Sequence, residues 1–513
     1  MNYLAYQQDG FNSSGDYRLP QTVRLLKRLF YDLQSKLTLD VFRLDKNAVE
    51  ELSGILVDFA VDVHNDIGIW AAYERYNRNW FGLPLPITGG DNTGISVDRI
   101  RHLLWHVYPQ LIGNRIIIPP DHADLLKVTG AVHDFLQQHI VDLPRDSGIK
   151  AFLATPNEYG WDVKRKLLWM GTKSYLFRQL FKNYMHENEV ALNSIDHIDD
   201  FVCQECTCWS GLGVIDVLAE TLNIPDDQRK ELRSWYERHT APYKLSAVNN
   251  EVLEAINVIS NQPYTIRINM DRHPFQAGQL VFGSLTPWKG EWYWSGAQRL
   301  LGEADDELIE ECKRNMRQST SIIGRYWKEY EQMVRERMAE QYQKMMRFYG
   351  SDLIIYPDGL SMAADWDREM QDQWKKAPDD KARAIIKEHG LKEPRTRMPL
   401  PRNLIESQEG LAVFINPDEG KEIALNFNRI VAGLKKKGNG LTTDEIEAIQ
   451  DFMLADAVSP AFVKRIVHEY GTESIGTALE LGEHGENYWL DYALRSMKGH
   501  FYRKRYPALS IAM

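Results

Sequence analysis

The chain has few cysteines and no long apolar run, and both shortages limit what kind of protein it is. Its 513 residues include only Cys203, Cys206, Cys208 and Cys312, and three of these crowd into six positions. That spacing makes a poor disulfide framework and favours a reducing compartment. No window approaches 18 uncharged apolar residues, and the N-terminus lacks the basic and apolar regions of a secretory signal. The sequence therefore predicts a cytoplasmic protein that does not enter a membrane.

Positive charge is also in short supply. Lys and Arg number 61 against 72 Asp and Glu, which gives a formal net charge of −11. A protein that coats duplex nucleic acid needs a surplus of cations on its binding face, so this class is disfavoured, although a local basic patch stays open. Hydrophobic residues make up 43% of the chain and charged residues 26%, which excludes wholesale disorder and a collagen-like fold.

The signatures of the common enzyme classes are missing as well. The sequence has no G-x-x-x-x-G-K-[ST] phosphate loop, no G-x-G-x-x-G after a strand, no G-x-S-x-G and no H-E-x-x-H. The usual NTPase, dinucleotide, serine hydrolase and zincin mechanisms thus lack sequence support. We therefore favour a protein that is not an enzyme, and we predict no cofactor.

Most of the chain has helical periodicity, but a short stretch reads as β-structure. Residues 264–268 alternate with period two, and 280–282 and 291–294 are rich in β-formers, with Lys289-Gly290 as a turn signal between the last two. Three short strands with glycine at the corners predict a small antiparallel β module. Its spacing resembles that of SH3-like small barrels, and this resemblance implies a fold and no function.

The segment that follows, residues 303–348, contains no proline and has apolar residues at three- and four-residue spacing, which predicts one long helix. The predicted fold class is mainly α and multidomain, with helical N- and C-terminal parts around the β module. The predicted divisions are an N-terminal helical domain (1–150), a helical domain with the cysteine cluster (151–260), the β module (261–300), the long helix (301–350), a polar connector (351–410) and a C-terminal helical domain (411–513).

The sharpest local feature is the cysteine cluster with a histidine before it. Cys203, Cys206 and Cys208 follow His197, and acidic residues surround them. Thiolates and imidazoles are zinc ligands, so zinc or another divalent ion is the cofactor that this cluster could take. The alternative is that the cysteines are small buried apolar side chains, which is the more common use of a free cysteine.

A second candidate metal set is His102 or His106 with the pair His133-Asp134. A helical histidine followed by a His-Asp pair resembles the metal-dependent phosphohydrolases that are named for their HD pair. That resemblance implies a divalent ion that activates water. The chain departs from the pattern at Phe135-Leu136, where small residues are expected. The alternative is that these are ordinary residues on solvent-facing helices.

Two further sets point to partners. Basic and aromatic residues alternate near the C-terminus, where they could neutralise phosphates and stack on bases, or could complete a helix end by pairing with acidic neighbours. The candidate nucleic-acid residues are Arg495, Lys498, Tyr502, Arg503, Lys504 and Arg505.

The second set is a group of tryptophans that could bind a protein partner. Trp292 and Trp294 share one face of a strand, near Trp288, and would form an aromatic platform if that face is exposed.

The leading hypothesis from the sequence is an intracellular interaction or scaffold protein that acts through the β module and its helical surfaces. A protein is then the main expected partner. The alternatives are a metal-dependent hydrolase, built on the cysteine cluster or on the His102, His133 and Asp134 set, and a nucleic-acid-associated protein that uses the basic C-terminal run.

Overall fold

The structure is a computed structural model that describes residues 19–36, 39, 42–112, 118–143, 148–269, 273–317, 319–376, 400–480, 486–506 and 508–512. The chain divides into two compact units, Met1–Lys328 and Glu329–Met513. Both are mainly helical and each contains one β-sheet, which confirms the mainly α, multidomain fold class. No helix in the described ranges is long and apolar enough to cross a membrane.

The first unit begins with helices that pack around a central helix, α2. Asp45 starts α2 by accepting a hydrogen bond of 2.7 Å from the Ala48 N–H, and Asp66 ends it in the left-handed conformation. Nearly every side of α2 is buried, so it forms the core of this bundle. The helices are α1 (Leu19–Lys36), α2 (Lys46–Asn65), α3 (Ile69–Phe81), α4 (Val97–Ile112), α5 (Ala123–His139), α6 (Gly148–Leu153), α7 (Gly160–Lys173), α8 (Arg178–Glu187), α9 (Ile195–Gln204), α10 (Val214–Thr221) and α11 (Asp226–Ser234).

Five strands follow and form the β module. They are β1 (His239–Val248), β2 (Val252–Asn257), β3 (Pro263–Arg267), β4 (Gln279–Trp288) and β5 (Glu291–Glu303). The pairings run in the order β1-β2-β3-β5-β4 and return from β4 to β1. All pairings are antiparallel except that of β3 with β5, which is parallel and consists of the single residue pair Ile266 and Trp292. The strand pairings therefore form a closed ring in which the β3–β5 pairing is the shortest.

The β module begins earlier than the sequence predicts. Residues 239–257 lie in a stretch that we read as helical, yet they form β1 and β2. In β1, Ala241, Tyr243 and Leu245 are buried and point to one side, where they join the apolar core of the module. The helical prediction for 239–257 is therefore wrong. The error arises because three alternating positions are too few to show a period of two after the helical pattern that precedes them.

The long helix that we predict over 303–348 is not continuous. Glu303 ends β5, and three helices follow, α12 (Asp306–Arg317), α13 (Thr320–Tyr326) and α14 (Lys328–Tyr349). Ser319 is the N-cap of α13, and Trp327 leaves the helical conformation at φ −98° and ψ 94°. The absence of proline did not identify these breaks, because serine and tryptophan are compatible with either conformation.

The second unit is built around a sheet of four strands in the order β6-β7-β8-β9. Its strands are β6 (Leu353–Tyr356), β7 (Leu411–Asn416), β8 (Gly420–Leu425) and β9 (Ala508–Ala512), and the β8–β9 pair is parallel. The helices after α14 are α15 (Gly359–Lys376), α16 (Arg402–Ile405), α17 (Phe427–Lys435), α18 (Thr443–Leu454), α19 (Pro460–Tyr470), α20 (Glu473–Ala478) and α21 (Glu486–Met497).

Two predictions for this unit need correction. The segment 351–410, which we predict to be a polar connector, contains β6 and α15, and α15 buries Met362 and Trp366 in the apolar core. Residues 420–425 form β8, although they lie in the stretch 411–513 that we predict to be a C-terminal helical domain. Residues 377–399 of the predicted polar connector lie outside the described ranges.

Candidate functional site

The clustered cysteines do not meet at one point. Cys203 is buried in α9, Cys206 is half-buried and forms an isolated β-bridge with Gly213, and Cys208 is exposed. His197 Nδ1 lies 2.8 Å from the Ser194 hydroxyl. Within the ranges that the structure describes, no group of three or more His, Cys, Asp or Glu side chains is placed to hold a metal ion. Zinc or another divalent ion at this cluster thus remains a hypothesis from the sequence.

The acidic residues around the cysteines have basic partners inside the first unit. The buried Asp199 carboxylate accepts hydrogen bonds from Lys164 and Arg238 and a third, of 2.7 Å, from the Ser295 hydroxyl on β5. Asp200 also pairs with Arg238. These contacts join α7, α9 and β5, so the carboxylates connect the helical bundle to the β module.

Lys164 is the centre of this network. Its Nζ also lies 2.9 Å from the Ser295 hydroxyl and 3.3 Å from the Cys203 sulfur. Burial opposes the charge of Lys164, but the Asp199 carboxylate more than compensates, so the pKa of Lys164 is raised. Burial also raises the pKa of the Cys203 thiol to about 11. A lysine held as an ammonium is no general base, and a protonated thiol is a weak nucleophile.

The histidines of the second metal set lie in different environments. His102 is fully buried, with Nε2 3.0 Å from the Tyr73 hydroxyl, and burial holds its pKa well below the usual value. His106 is also buried, and the same effect lowers its pKa to about 4. His133 lines a surface cavity of about 500 Å³ beside the loop before α4, and the neighbouring Asp134 is exposed. The expected grouping of His102 or His106 with His133 and Asp134 does not occur.

Of the three candidate partner-binding tryptophans, one is buried and two are half-buried against the core of the β module. Trp288 is completely buried, and its Nε1 donates to the Asn157 carbonyl at 3.1 Å, so its assignment to a binding surface is wrong. Trp292 and Trp294 are half-buried on one side of β5. Tyr293, between them, is buried against α7, where a Cβ on Gly160 would lie 2.6 Å from its ring.

Trp292 and Trp294 belong to a continuous set of ring contacts, which we call the aromatic series. Trp292 lies 4.6 Å from His239 and 4.8 Å from Tyr264, measured between ring centroids, and His239 stacks on Tyr326 at 4.4 Å. At the other end, Trp294 stacks on Phe275, with 6.4 Å between centroids. The aromatic series runs in the order His273, Phe275, Trp294, Tyr243, Tyr264, Trp292, His239 and Tyr326.

Six rings of the aromatic series are half-buried, and Tyr243 and Tyr264 are buried. Burial lowers the pKa of His239 to about 4, so this ring is neutral, and its Nδ1 lies 2.7 Å from the Tyr264 hydroxyl. Sequence reasoning found the two tryptophans and missed His239 and Tyr326. Both lie in segments that we read as helix, so nothing in the local pattern connected them to the β module.

The basic C-terminal run is largely engaged within the second unit. Arg495 pairs with Asp491 at 2.8 Å, and its guanidinium lies 4.4 Å from the centroid of the half-buried Tyr502 ring. Lys498 is fully buried, so its assignment to a nucleic-acid surface is wrong. Lys504 pairs with Glu331 and Arg505 with Glu419, and Arg503 is half-buried. The ion pairs match the alternative reading, in which these cations pair with acidic neighbours.

Comparison with known proteins finds one partial match. Residues 33–198 match a family that is described as a protein of unknown function (DUF3843). This stretch runs from within α1 to within α9 and contains neither the β module nor the second unit. No curated protein and no solved structure matches the chain.

Proposed function

We propose that the protein is a non-catalytic interaction protein that binds a basic segment of a partner protein on the half-buried rings of the aromatic series. The observation that carries this proposal is the position of Trp292 and Trp294, which share one side of β5, pack against the apolar core of the β module and are both half-buried. Aromatic rings that remain accessible at the edge of a packed core are typical anchors of protein interfaces.

Charge favours a basic occupant. The face of an indole ring attracts an ammonium or guanidinium group, and a contact of this kind contributes about 0.5–1 kcal/mol at an exposed site. The net charge of −11 also attracts cationic segments over longer distances. An acidic peptide would gain neither contribution.

Two finer features belong to the same proposal. The ring of strand pairings supports a likeness between the β module and SH3-like small barrels, which bind extended peptides along aromatic surfaces. We also propose that the protein acts in the cytoplasm, which agrees with thiol rather than disulfide cysteines.

The test is a selection of peptides on the full-length chain. A phage-displayed library of random peptides is selected on the immobilised protein, and enriched sequences are synthesised and titrated by fluorescence anisotropy. We expect peptides rich in Lys and Arg, whose Kd rises at least tenfold with Trp292→Leu or Trp294→Leu. Tyr293→Phe is the matched control, because Tyr293 lies on the opposite side of the same strand, and it should leave Kd unchanged.

Circular dichroism and thermal unfolding of each variant separate a lost contact from a lost fold. Enriched peptides that are not basic, or that bind the two tryptophan variants as tightly as the parent protein, would overturn the proposal. Binding of a labelled single-stranded oligonucleotide that depends on Trp292 and Trp294 would assign the surface to nucleic acid instead.

A further inference from the structure

The C-terminal end of β5 is open to solvent. Four successive residues, 298–301, are exposed, so both faces of the strand reach solvent there. Among them, Leu300 and Leu301 are 50% and 39% exposed. Leu300 pairs with Val281 of β4, and the register then shifts, so Leu301 is a bulged residue without a direct partner on β4. Two apolar side chains thus lie next to each other at the surface.

The backbone of this stretch is paired on one side only. β4 pairs with β5 as far as Glu303, whereas β3 meets β5 only through Ile266 and Trp292, at the other end of the strand. Among the described residues, no backbone hydrogen bond joins 298–302 to a strand other than β4. Residues 298–303 therefore form an open edge, with N–H and C=O groups that point away from β4. An extended peptide can add to such an edge as a further strand.

Carboxylates lie beside the open edge. Residues 303–311 contain six Asp and Glu and no Lys or Arg. They begin α12, which lies against the end of β5, because a Cβ on Gly302 would be 3.9 Å from Leu308 Cδ2. Glu303, Asp306 and Glu307 are exposed, and none of them pairs with a cation in the described part of the chain. An occupant of the open edge thus meets apolar side chains and uncompensated negative charge, which favours a segment with both basic and aliphatic residues.

The open edge begins where α9 stops covering β5. The Ala297 N–H donates to the Asp196 carboxylate at 3.3 Å, so the backbone just before residue 298 already has a partner. Arg299, the one cation of the open edge, pairs with the same carboxylate at 2.6 Å. Its charge is therefore balanced within the protein, and the excess charge of this surface comes from the carboxylates of α12.

We propose that the open edge binds an extended segment of a partner protein in which basic and aliphatic residues alternate. The segment adds to β5 as a further strand, and its backbone hydrogen bonds supply affinity that does not depend on sequence. Its aliphatic side chains contact Leu300 and Leu301, and its basic side chains face the carboxylates at the start of α12. This surface is separate from Trp292 and Trp294, so the inference goes beyond the proposed function.

The test uses the full-length protein and a fluorescein-labelled octapeptide in which Lys and Val alternate, with Kd measured by fluorescence anisotropy. Two further peptides carry N-methyl groups on all the lysines or on all the valines. Alternate N–H groups of a strand point to the same neighbour, so one of these changes should raise Kd at least tenfold and the other less than threefold. A peptide of alternating Glu and Val is the control for charge and should bind at least tenfold more weakly.

A pair of protein variants locates the binding surface. Leu301→Lys adds a positive charge to the open edge and should raise Kd for the Lys-Val peptide at least tenfold. Ile256→Lys is the matched control and should leave Kd unchanged, because Ile256 is 40% exposed and its strand is paired on both sides. Circular dichroism and thermal unfolding show whether each variant folds, and the comparison of peptides on the parent protein does not depend on them.

The outcomes separate this inference from the proposed function. No binding of the Lys-Val peptide, equal effects of the two N-methyl sets or equal effects of the two lysine variants would overturn the inference. Binding that is lost in Trp292→Leu or Trp294→Leu and kept in Leu301→Lys would assign the peptide to the aromatic series and overturn the inference alone. Binding that is lost in Leu301→Lys and kept in both tryptophan variants would support the open edge without the aromatic series.

Discussion

The Asp199 carboxylate on α9 accepts a hydrogen bond of 2.7 Å from the Ser295 hydroxyl on β5. This contact ties the helix that precedes the cysteine cluster to a strand of the β module. Lys164 and Arg238 contact the same carboxylate, and they keep its pKa low against the effect of burial. The negative charge of Asp199, beside the cysteine cluster, is therefore balanced by cations of the protein itself.

We expect Asp199→Asn to lower the free energy of unfolding by about 3–5 kcal/mol, because the amide leaves the buried charges of Lys164 and Arg238 uncompensated. The measurement is urea unfolding followed by circular dichroism. Asp196→Asn is the control, since its partner Arg299 is exposed and such pairs contribute about 0–1 kcal/mol. Equal losses in the two variants would show that Asp199 has no special role.

The pH dependence of stability should reflect His106. The pKa of His106 falls to about 4 in the folded protein, whereas an unfolded histidine has a value of about 6.5. Between these values the unfolded chain binds a proton that the folded protein does not, so this contribution is complete above pH 6.5 and is lost as the pH falls toward 4. At pH 5 the loss is about 2 kcal/mol.

His106→Gln removes this titration. The difference in unfolding free energy between pH 8 and pH 5 should therefore shrink by about 2 kcal/mol relative to the parent protein. Urea unfolding at the two pH values measures it, and His133→Gln serves as the control for replacing a surface histidine. An unchanged difference would mean that His106 titrates alike in the folded and unfolded states.

The sequence predicted the helical character well where periodicity extends over several turns, as in α2, α4 and α5. The prediction failed for β1, because the alternation of Ala241, Tyr243 and Leu245 indicates a strand only when the pairing of β1 with β2 and β4 is known. Strand preference depends on such neighbours more than helix preference does. The break in the predicted long helix at Trp327 is a similar case, since a tryptophan fits either conformation.

The candidate sites show the same limit in another form. Trp292 and Trp294 are two residues apart, so their shared side follows from the chain alone. His239 and Tyr326 join them only through the fold, across long stretches of sequence. Burial also cannot be determined from the sequence, and it excludes Trp288 and Lys498 from the surfaces to which we assigned them. Residue type and spacing identify candidate chemistry, and burial decides which candidates are accessible.

Two glycines should respond in opposite directions to alanine. A Cβ on Gly160 would lie 2.6 Å from the buried Tyr293 ring, so Gly160→Ala should lower the free energy of unfolding by about 1–3 kcal/mol. Gly130 lies within α5, and an added carbon would meet nothing within 4 Å beyond its chain neighbours and the backbone of its own helix, so Gly130→Ala should raise stability by up to about 1 kcal/mol. Thermal unfolding compares the two variants with the parent protein. A Gly160→Ala variant that is as stable as the parent protein would show that α7 does not contact β5 as described.

The cysteines should differ in their reaction with iodoacetamide at pH 8. Cys208 is exposed and should be alkylated first, whereas Cys203 is buried and its raised pKa keeps it protonated, so it should react at least tenfold more slowly. Peptide mass spectrometry over time gives each rate, with the urea-unfolded chain as the control for intrinsic reactivity. Stoichiometric zinc that protects Cys203 and Cys206 together would contradict this account and restore the metal hypothesis.

Lys498 should matter for stability rather than for nucleic-acid binding. It is fully buried, and its Nζ donates to the Ala455 carbonyl at 2.8 Å, just after the end of α18, where a positive charge also suits the helix dipole. Lys498→Met removes this hydrogen bond and leaves the carbonyl with only the Val458 N–H, at 3.2 Å, so we expect a loss of about 1–3 kcal/mol in urea unfolding.

Lys504→Met is the matched change, because Lys504 is partly exposed and paired with Glu331, and we expect it to cost less than about 1 kcal/mol. The same proteins are then titrated with labelled single-stranded DNA and RNA at low salt. Binding that is lost in Lys504→Met or Arg505→Gln, with stability unchanged, would show that the run contacts phosphates despite its internal ion pairs. If the pairs are the main role of these cations, the two variants change stability slightly and no salt-dependent binding is seen in any of the proteins.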